Sequence, residues 1–190
     1  QAMIALGEAA VQSNDLTLTI QARIMESQVS RHMGRPEEAW MLLREVSGEM
    51  PPEHIRTVAC QLELELARVH LDFGWITSAQ DHVSQALDLA QRDGDLGNEA
   101  RALLLEAEAS LWTGNPSEAR FIAATSLEIA ARLGDWKLLA DVELMRLAIE
   151  LKVQLNPQRD VITRAQRLAA SASRRHDAPR AAMGNRQGAL

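Results

Sequence analysis

Glycine recurs at positions 34, 74 and 114 and alanine at 39, 79 and 119, each at 40-residue intervals. Between these marks, Asp15, Asp95 and Asp135 open the phrases "NDLTLTIQARIMES", "GDLGNEARALLLEA" and "GDWKLLADVELMRLA". The intermediate place on the same schedule is filled by "MPPEHIRTVACQLELELA", where Pro51 and Pro52 make a different turn. A shared register over so much of a 190-residue chain means an array of similar units. Such a unit cannot bury its apolar face alone and must stack on its neighbours.

The interior of each unit is marked by "HMGRPEEAW", "DFGWITSAQ" and "WTGNPSEAR". Glycine tolerates the left-handed backbone that ends a helix. In the third phrase Asn115 stands at an N-cap position, Pro116 suits a first turn, and Glu118 has the capping-box spacing. Each phrase therefore reads as the hairpin turn of a helix pair. Apolar residues on the first helices fall on two lines with steps of three, four and seven. One runs through Val29 and Met33; Leu62, Leu66, Val69 and Phe73; Ala102, Leu105 and Ala109; and Val142, Met145, Ile149 and Val153. The other runs through Ile24; Leu64, Ala67 and Leu71; Leu104, Ala107 and Leu111; and Leu144, Leu147 and Leu151. Two apolar lines on one helix demand neighbours on both sides. The small residues Ala39, Ala79 and Ala119 allow close approach within each pair.

The alanines seven residues before the turn glycines (Ala67, Ala107), the glycines themselves, Ala39, Ala79, Ala119, Ala86, and the endings "ALDLAQRDGD" and "LEIAARLGD" resemble tetratricopeptide repeats. The resemblance is to the longer bacterial variety of about 40 residues, and it covers nearly the whole chain. It implies an all-α fold, a right-handed α-solenoid of antiparallel helical hairpins. The expected division is 1–13 as the second helix of a preceding repeat, then repeats at 14–49, 53–93, 94–133 and 134–175, with a further repeat starting at 176–190. Both ends thus fall inside repeats, as in an excerpt of a longer solenoid. The chain departs from the family's habits at Ser30, His70 and Ser110, where a large apolar residue is usual, at Glu26, Glu106 and Ser27, and in having no Tyr.

Composition removes several function classes. A net charge of −6 speaks against nucleic-acid backbone binding. From Val153 onward seven Arg face only Asp160 and Asp177, and this basic end reads as a solvated arginine-rich helix face. No apolar run reaches the roughly 18 residues of a membrane span, so no membrane contact is expected. Cys60 is the only cysteine; it excludes an internal disulfide, fits a reducing, cytoplasmic setting, and reads as a small core residue.

Catalytic and cofactor signatures are missing too. His32, His54, His70, His82 and His176 form neither a zinc nor a di-iron motif, and no phosphate-binding glycine loop or nucleophile elbow occurs. His70 and His82 read as interhelical hydrogen-bonding residues. The pairs Glu63/Glu65 and Glu106/Glu108 lie two apart, so their members point to different helix faces, and they read as solvated charges. No enzyme activity, metal or cofactor is expected.

A binding surface remains. The resemblance implies that first helices line a concave groove, carrying Gln21, Ile24, Gln28 and Arg31; Gln61, Leu64, Arg68 and Leu71; Arg101, Leu104, Glu108 and Leu111; and then Asp141, Leu144, Ala148 and Leu151, with Trp112 at the edge. The line Ile24, Leu64, Leu104 and Leu144 can serve either the groove or the packing between repeats. The groove lacks the Lys and Asn pattern that clamps a peptide's terminal carboxylate. The expected function is a non-catalytic interaction and effector-sensing scaffold of a larger bacterial signalling or transcription regulator, as in large ATP-dependent LuxR-type activators. Its partner would be a protein or peptide segment, another domain of the same parent chain, or a small effector, with no direct nucleic-acid contact. Alternatives are an accessory domain of a multidomain protease or nucleotide cyclase, and a secretion or assembly chaperone.

Overall fold

The computed structural model describes residues 16–49 and 55–153. The readings for 1–13, the Pro51–Pro52 turn, the second helix of 134–175, the basic end and 176–190 lie outside the described residues. Those described form seven helices and no strand: α1 (Leu16–His32), α2 (Pro36–Glu49), α3 (Ile55–Asp72), α4 (Ile76–Asp93), α5 (Leu96–Trp112), α6 (Pro116–Leu133) and α7 (Trp136–Val153).

The turns between α1 and α2, α3 and α4, and α5 and α6 share one construction. Gly34, Gly74 and Gly114 take φ of 75°, 73° and 82°, a left-handed backbone that a side chain would strain. The residue after each glycine then donates its N–H to a carbonyl five residues back, as Trp75 does to His70 at 2.8 Å and Asn115 to Ser110 at 2.9 Å. These bonds satisfy carbonyls that the helix end leaves open. At the other joints Asp95 accepts from the Asn98 N–H at 3.0 Å, and Asp135 accepts from those of Lys137 and Leu138, each at 3.1 Å. Asn115 occupies the N-cap of α6 but makes no side-chain capping bond, contrary to the capping-box reading. Pro116 follows it and has no N–H to satisfy.

Side-chain contacts show the chain reversing at each hairpin. Cys60 Sγ donates to the Ala86 carbonyl at 3.4 Å, across α3 and α4. Ser126 Oγ donates to the Ala100 carbonyl at 2.7 Å, across α5 and α6. Both pairs straddle their turn glycine at the same offsets, 14 residues before it and 12 after, as paired antiparallel helices require. They are also the same pair one 40-residue step apart, with the donor moved from the first helix to the second. In the first hairpin the corresponding residues are the buried Ile20 and Val46.

The two apolar lines go to different places. On α3, Leu62, Leu66 and Val69 join Ile20, Ile24, Leu43 and Val46 of the preceding hairpin. Leu64, Ala67 and Leu71 join Val83, Ala86 and Ala90 of α4 and Ala102, Leu105 and Ala109 of α5. α5 repeats the division, sending Leu104 and Ala107 toward α6 and α7. Each apolar cluster draws on three consecutive helices. Among the described residues no helix packs beyond its second neighbour. Ala39, Ala79 and Ala119 are fully buried.

Glu106 carries a cost of this packing. Burial, and then the charge of Glu118, raise its pKa above the usual carboxylate value. Between the unfolded and the raised folded value the folded chain binds more protons, so stability falls as pH rises through that window. Glu106→Gln should therefore melt higher than the parent at pH 7. The gap should close as the pH is lowered below the carboxylate range, measured by parallel thermal melts; a gap independent of pH would show that Glu106 is not penalised as a charge.

Candidate functional site

Helices α1, α3, α5 and α7 lie side by side, each touching the next. Their side chains bound two adjoining hollows. The first, of about 450 Å³, lies over α1, α3 and α5, with Ile24, Leu64 and Leu105 as its floor. Its polar lining comprises Gln21, Gln28, Gln61, Glu65, Arg68, Asn98 and Arg101. The second, of about 550 Å³, extends to α7 and adds Arg31, Glu108, Asp135, Lys137 and Asp141. Gln28, Glu65, Arg68 and Arg101 belong to both, so the two form one trough.

Packing has claimed the apolar groove candidates. Ile24, Leu64, Leu71 and Leu104 are buried at 3%, 8%, 4% and 6% exposure, and Leu111 is half-buried. Leu144, on the last described helix, is exposed at 40%. A continuous apolar strip is therefore not on offer over α1, α3 and α5. The polar candidates Gln21, Gln28, Gln61, Arg68, Arg101 and Glu108 form the walls instead.

One contact in the trough has no counterpart in the sequence reading. Gln28 Nε2 donates to Glu65 Oε1 at 2.8 Å, Arg31 Nε lies 3.8 Å from Glu65 Oε2, and Arg31 reaches Asp72 at 3.3 Å. Glu65 is 9% exposed, which corrects its reading as a solvated charge. A carboxylate so enclosed needs partners. The signal was present in the register: Glu65 corresponds to Met25, Leu105 and Met145, and Arg31 to Leu71, Leu111 and Leu151. Two charges at otherwise apolar positions meet each other across α1 and α3.

Glu108 is half-buried as well, and burial is the main cause that raises its pKa; Asp72 adds to the rise, while Arg68, Arg31 and a hydrogen bond from Trp112 oppose it. Asp141 is raised by burial too, helped by Asp135 and opposed by Lys137, Arg68 and Arg101. Arg68 thus faces two carboxyl groups, yet among the described residues it has no salt-bridge partner. Arg101 pairs with Asp135 at 3.2 Å and with Asn98 at 3.3 Å. At the rim Trp112 is 58% exposed, with the Lys152 ammonium 5.4 Å from its ring centre.

His32 also lines the second hollow, whereas His70, His82, Glu63 and Cys60 lie away from the trough's lining. His82 Nδ1 is 2.6 Å from Glu63, and the His70 and His82 rings lie tilted against each other, centres 4.8 Å apart, with His70 also against Trp75. Glu63 is thus paired across the hairpin rather than free in solvent. Burial, then His82, lowers the pKa of His70. Burial pushes the Cys60 thiol up to about 11, so it is protonated and weakly nucleophilic at neutral pH. Among the described residues no three His, Cys, Asp or Glu side chains are placed to hold a metal ion, and no helix is long and apolar enough to cross a membrane. The arrangement is suited to holding a polar ligand by charge and hydrogen bonds. No family model matches the chain, and a search of curated proteins finds no match.

Proposed function

We propose that the helices are a stretch of a tetratricopeptide-like α-solenoid, and that the chain is a non-catalytic scaffold receiving a partner segment in the trough over α1, α3 and α5. The neighbour-only packing and the two-sided first helices support the solenoid. The observation that carries the binding role is the row Gln28, Arg68 and Glu108. One register position on three adjacent helices holds an amide, a cation and an acid, all lining one trough. Packing alone gives no reason for such variation, whereas partner selection does. On the earlier resemblance, the setting is a larger bacterial signalling or transcription regulator whose other domains respond to the bound segment.

The test exchanges the two charges and keeps the net charge constant. A partner is first captured with the tagged chain and identified by mass spectrometry. Arg68→Glu together with Glu108→Arg should then weaken its binding by at least about tenfold, or about 1.4 kcal/mol, with circular dichroism unchanged. Parental affinity in a folded double variant would move the interaction to another face.

A further inference from the structure

Two register positions change character in the hairpin of α3 and α4. His70 stands where the neighbouring hairpins have Ser30 and Ser110, and His82 where they have Leu42 and Ile122. The two rings meet across the hairpin, centres 4.8 Å apart and tilted at 55°. His82 Nδ1 is 2.6 Å from Glu63 Oε2, so a proton on His82 has a carboxylate beside it. His70 has no such support. It is 8% exposed, and its Nδ1 is enclosed without a hydrogen bond to any described residue.

The groups around His70 leave a charge there unfavoured. From α4 it faces His82, which repels a second proton, and the Ser78 backbone, which favours one. On its own helix Glu63 is engaged by His82. On α2 the Arg44 guanidinium lies 5.2 Å from the Trp40 ring centre, so that side brings a cation and no acid. Burial is the largest influence and, with His82, lowers the pKa of His70. The folded chain therefore binds fewer protons here than the unfolded one. The stability that neutral His70 contributes is complete above the ordinary imidazole value and is lost as pH falls toward the lowered one.

The same residue holds a joint together. Its carbonyl accepts the Trp75 N–H at 2.8 Å, and its ring lies 5.4 Å from that of Trp75. Trp75 stacks on Phe73 at 4.6 Å and meets Trp40 of α2 edge-on, at 6.3 Å and 85°. An aromatic bridge thus ties the α3–α4 turn to the first hairpin. The corresponding residues Arg35 and Asn115 supply no ring to the other two turns.

We propose that the His70–His82 pair is a proton-operated latch: a second proton drives His70 toward solvent, parts the half-exposed Trp75 from Trp40, and loosens the α3–α4 turn from the first hairpin while the helices stay formed. The pair tolerates one proton, on His82 beside Glu63, and opens with two. Because described helices pack no further than their second neighbours, the change is confined to this joint.

The test uses the full chain carrying Trp112→Phe and Trp136→Phe, which leaves Trp40 and Trp75 as the only indoles. Lowering the pH through and below the imidazole range should shift their emission to the red, with far-UV circular dichroism unchanged. Exchange of the Trp75 amide, corrected for its intrinsic rate, should quicken by about tenfold per pH unit within that window. His70→Phe keeps a ring beside Trp75 that cannot take a proton, and it should abolish both changes. His82→Gln removes the like charge and should move the transition to higher pH. A transition that survives His70→Phe, helicity lost in step with the emission shift, or constant emission would each overturn the latch. Should His70→Phe fail to fold, imidazole resonances of the parent decide: His70 titrating together with Trp75 exchange supports the latch, and titration without effect on Trp75 overturns it.

Discussion

Leu105→Ala should lower stability by about 2–5 kcal/mol, the range for removing a fully enclosed leucine. Leu105 is 1% exposed and sits where α3, α4 and α5 meet, among Leu64, Ala67, Val83 and Ala109. Much of that wall is alanine, which has no longer side chain to swing into the space, so the cavity should stay open and the cost should fall toward the upper part of the range. Met41→Ala, at a position 53% exposed, should change stability by no more than about 0.5 kcal/mol. Urea melts of the two variants against the parent measure the contrast. Hydrogen exchange should locate the loss mainly in α3 to α5, because no described helix packs beyond its second neighbour. Equal urea midpoints for Leu105→Ala and the parent would contradict the packing of this joint.

Arg31 and Glu65 supply the second large effect. Arg31→Leu restores the leucine found at positions 71, 111 and 151, yet it should cost about 1–3 kcal/mol, because Glu65 keeps Gln28 and loses its counter-charge in an enclosed place. Glu65→Leu restores the apolar character of Met25, Leu105 and Met145 and should likewise destabilise by stranding Arg31, less severely because Asp72 still faces it. The double variant should regain most of the loss, since an apolar pair needs no desolvated charge. A double-mutant cycle measured by chemical denaturation gives the coupling directly. Additive losses would mean that the two residues do not act as a pair.

How much of this was legible depends on what each residue reports. The hairpins were readable because Gly34, Gly74 and Gly114 mark a backbone conformation, and conformation is local. The two-sided packing of α3 was readable because Leu62, Leu66 and Val69 and Leu64, Ala67 and Leu71 each keep helical spacing. The groove was readable only by its polar half. Spacing tells which face Ile24, Leu64 and Leu104 occupy, but not how closely the next helix covers it. In the structure all three are covered by neighbouring helices, each in a different apolar cluster. The Arg31–Glu65 contact was hidden for another reason: each residue taken singly looks like an ordinary helix charge, and only the register shows both as intruders among apolar positions.

The contact shared by Cys60 with Ala86 and by Ser126 with Ala100 limits how such a chain can be recombined. Each of these two hairpins sets one larger side chain against one alanine, but on opposite helices. Joining α3 to α6 would press Cys60 against Ser126; joining α5 to α4 would leave Ala100 facing Ala86 across a gap. The first hairpin uses Ile20 and Val46 at the same place and fits neither scheme. Crowding and voids both destabilise. The interchangeable cassette is therefore the intact helix pair, cut at the Asp joints: a graft that moves one helix alone carries half of a matched set.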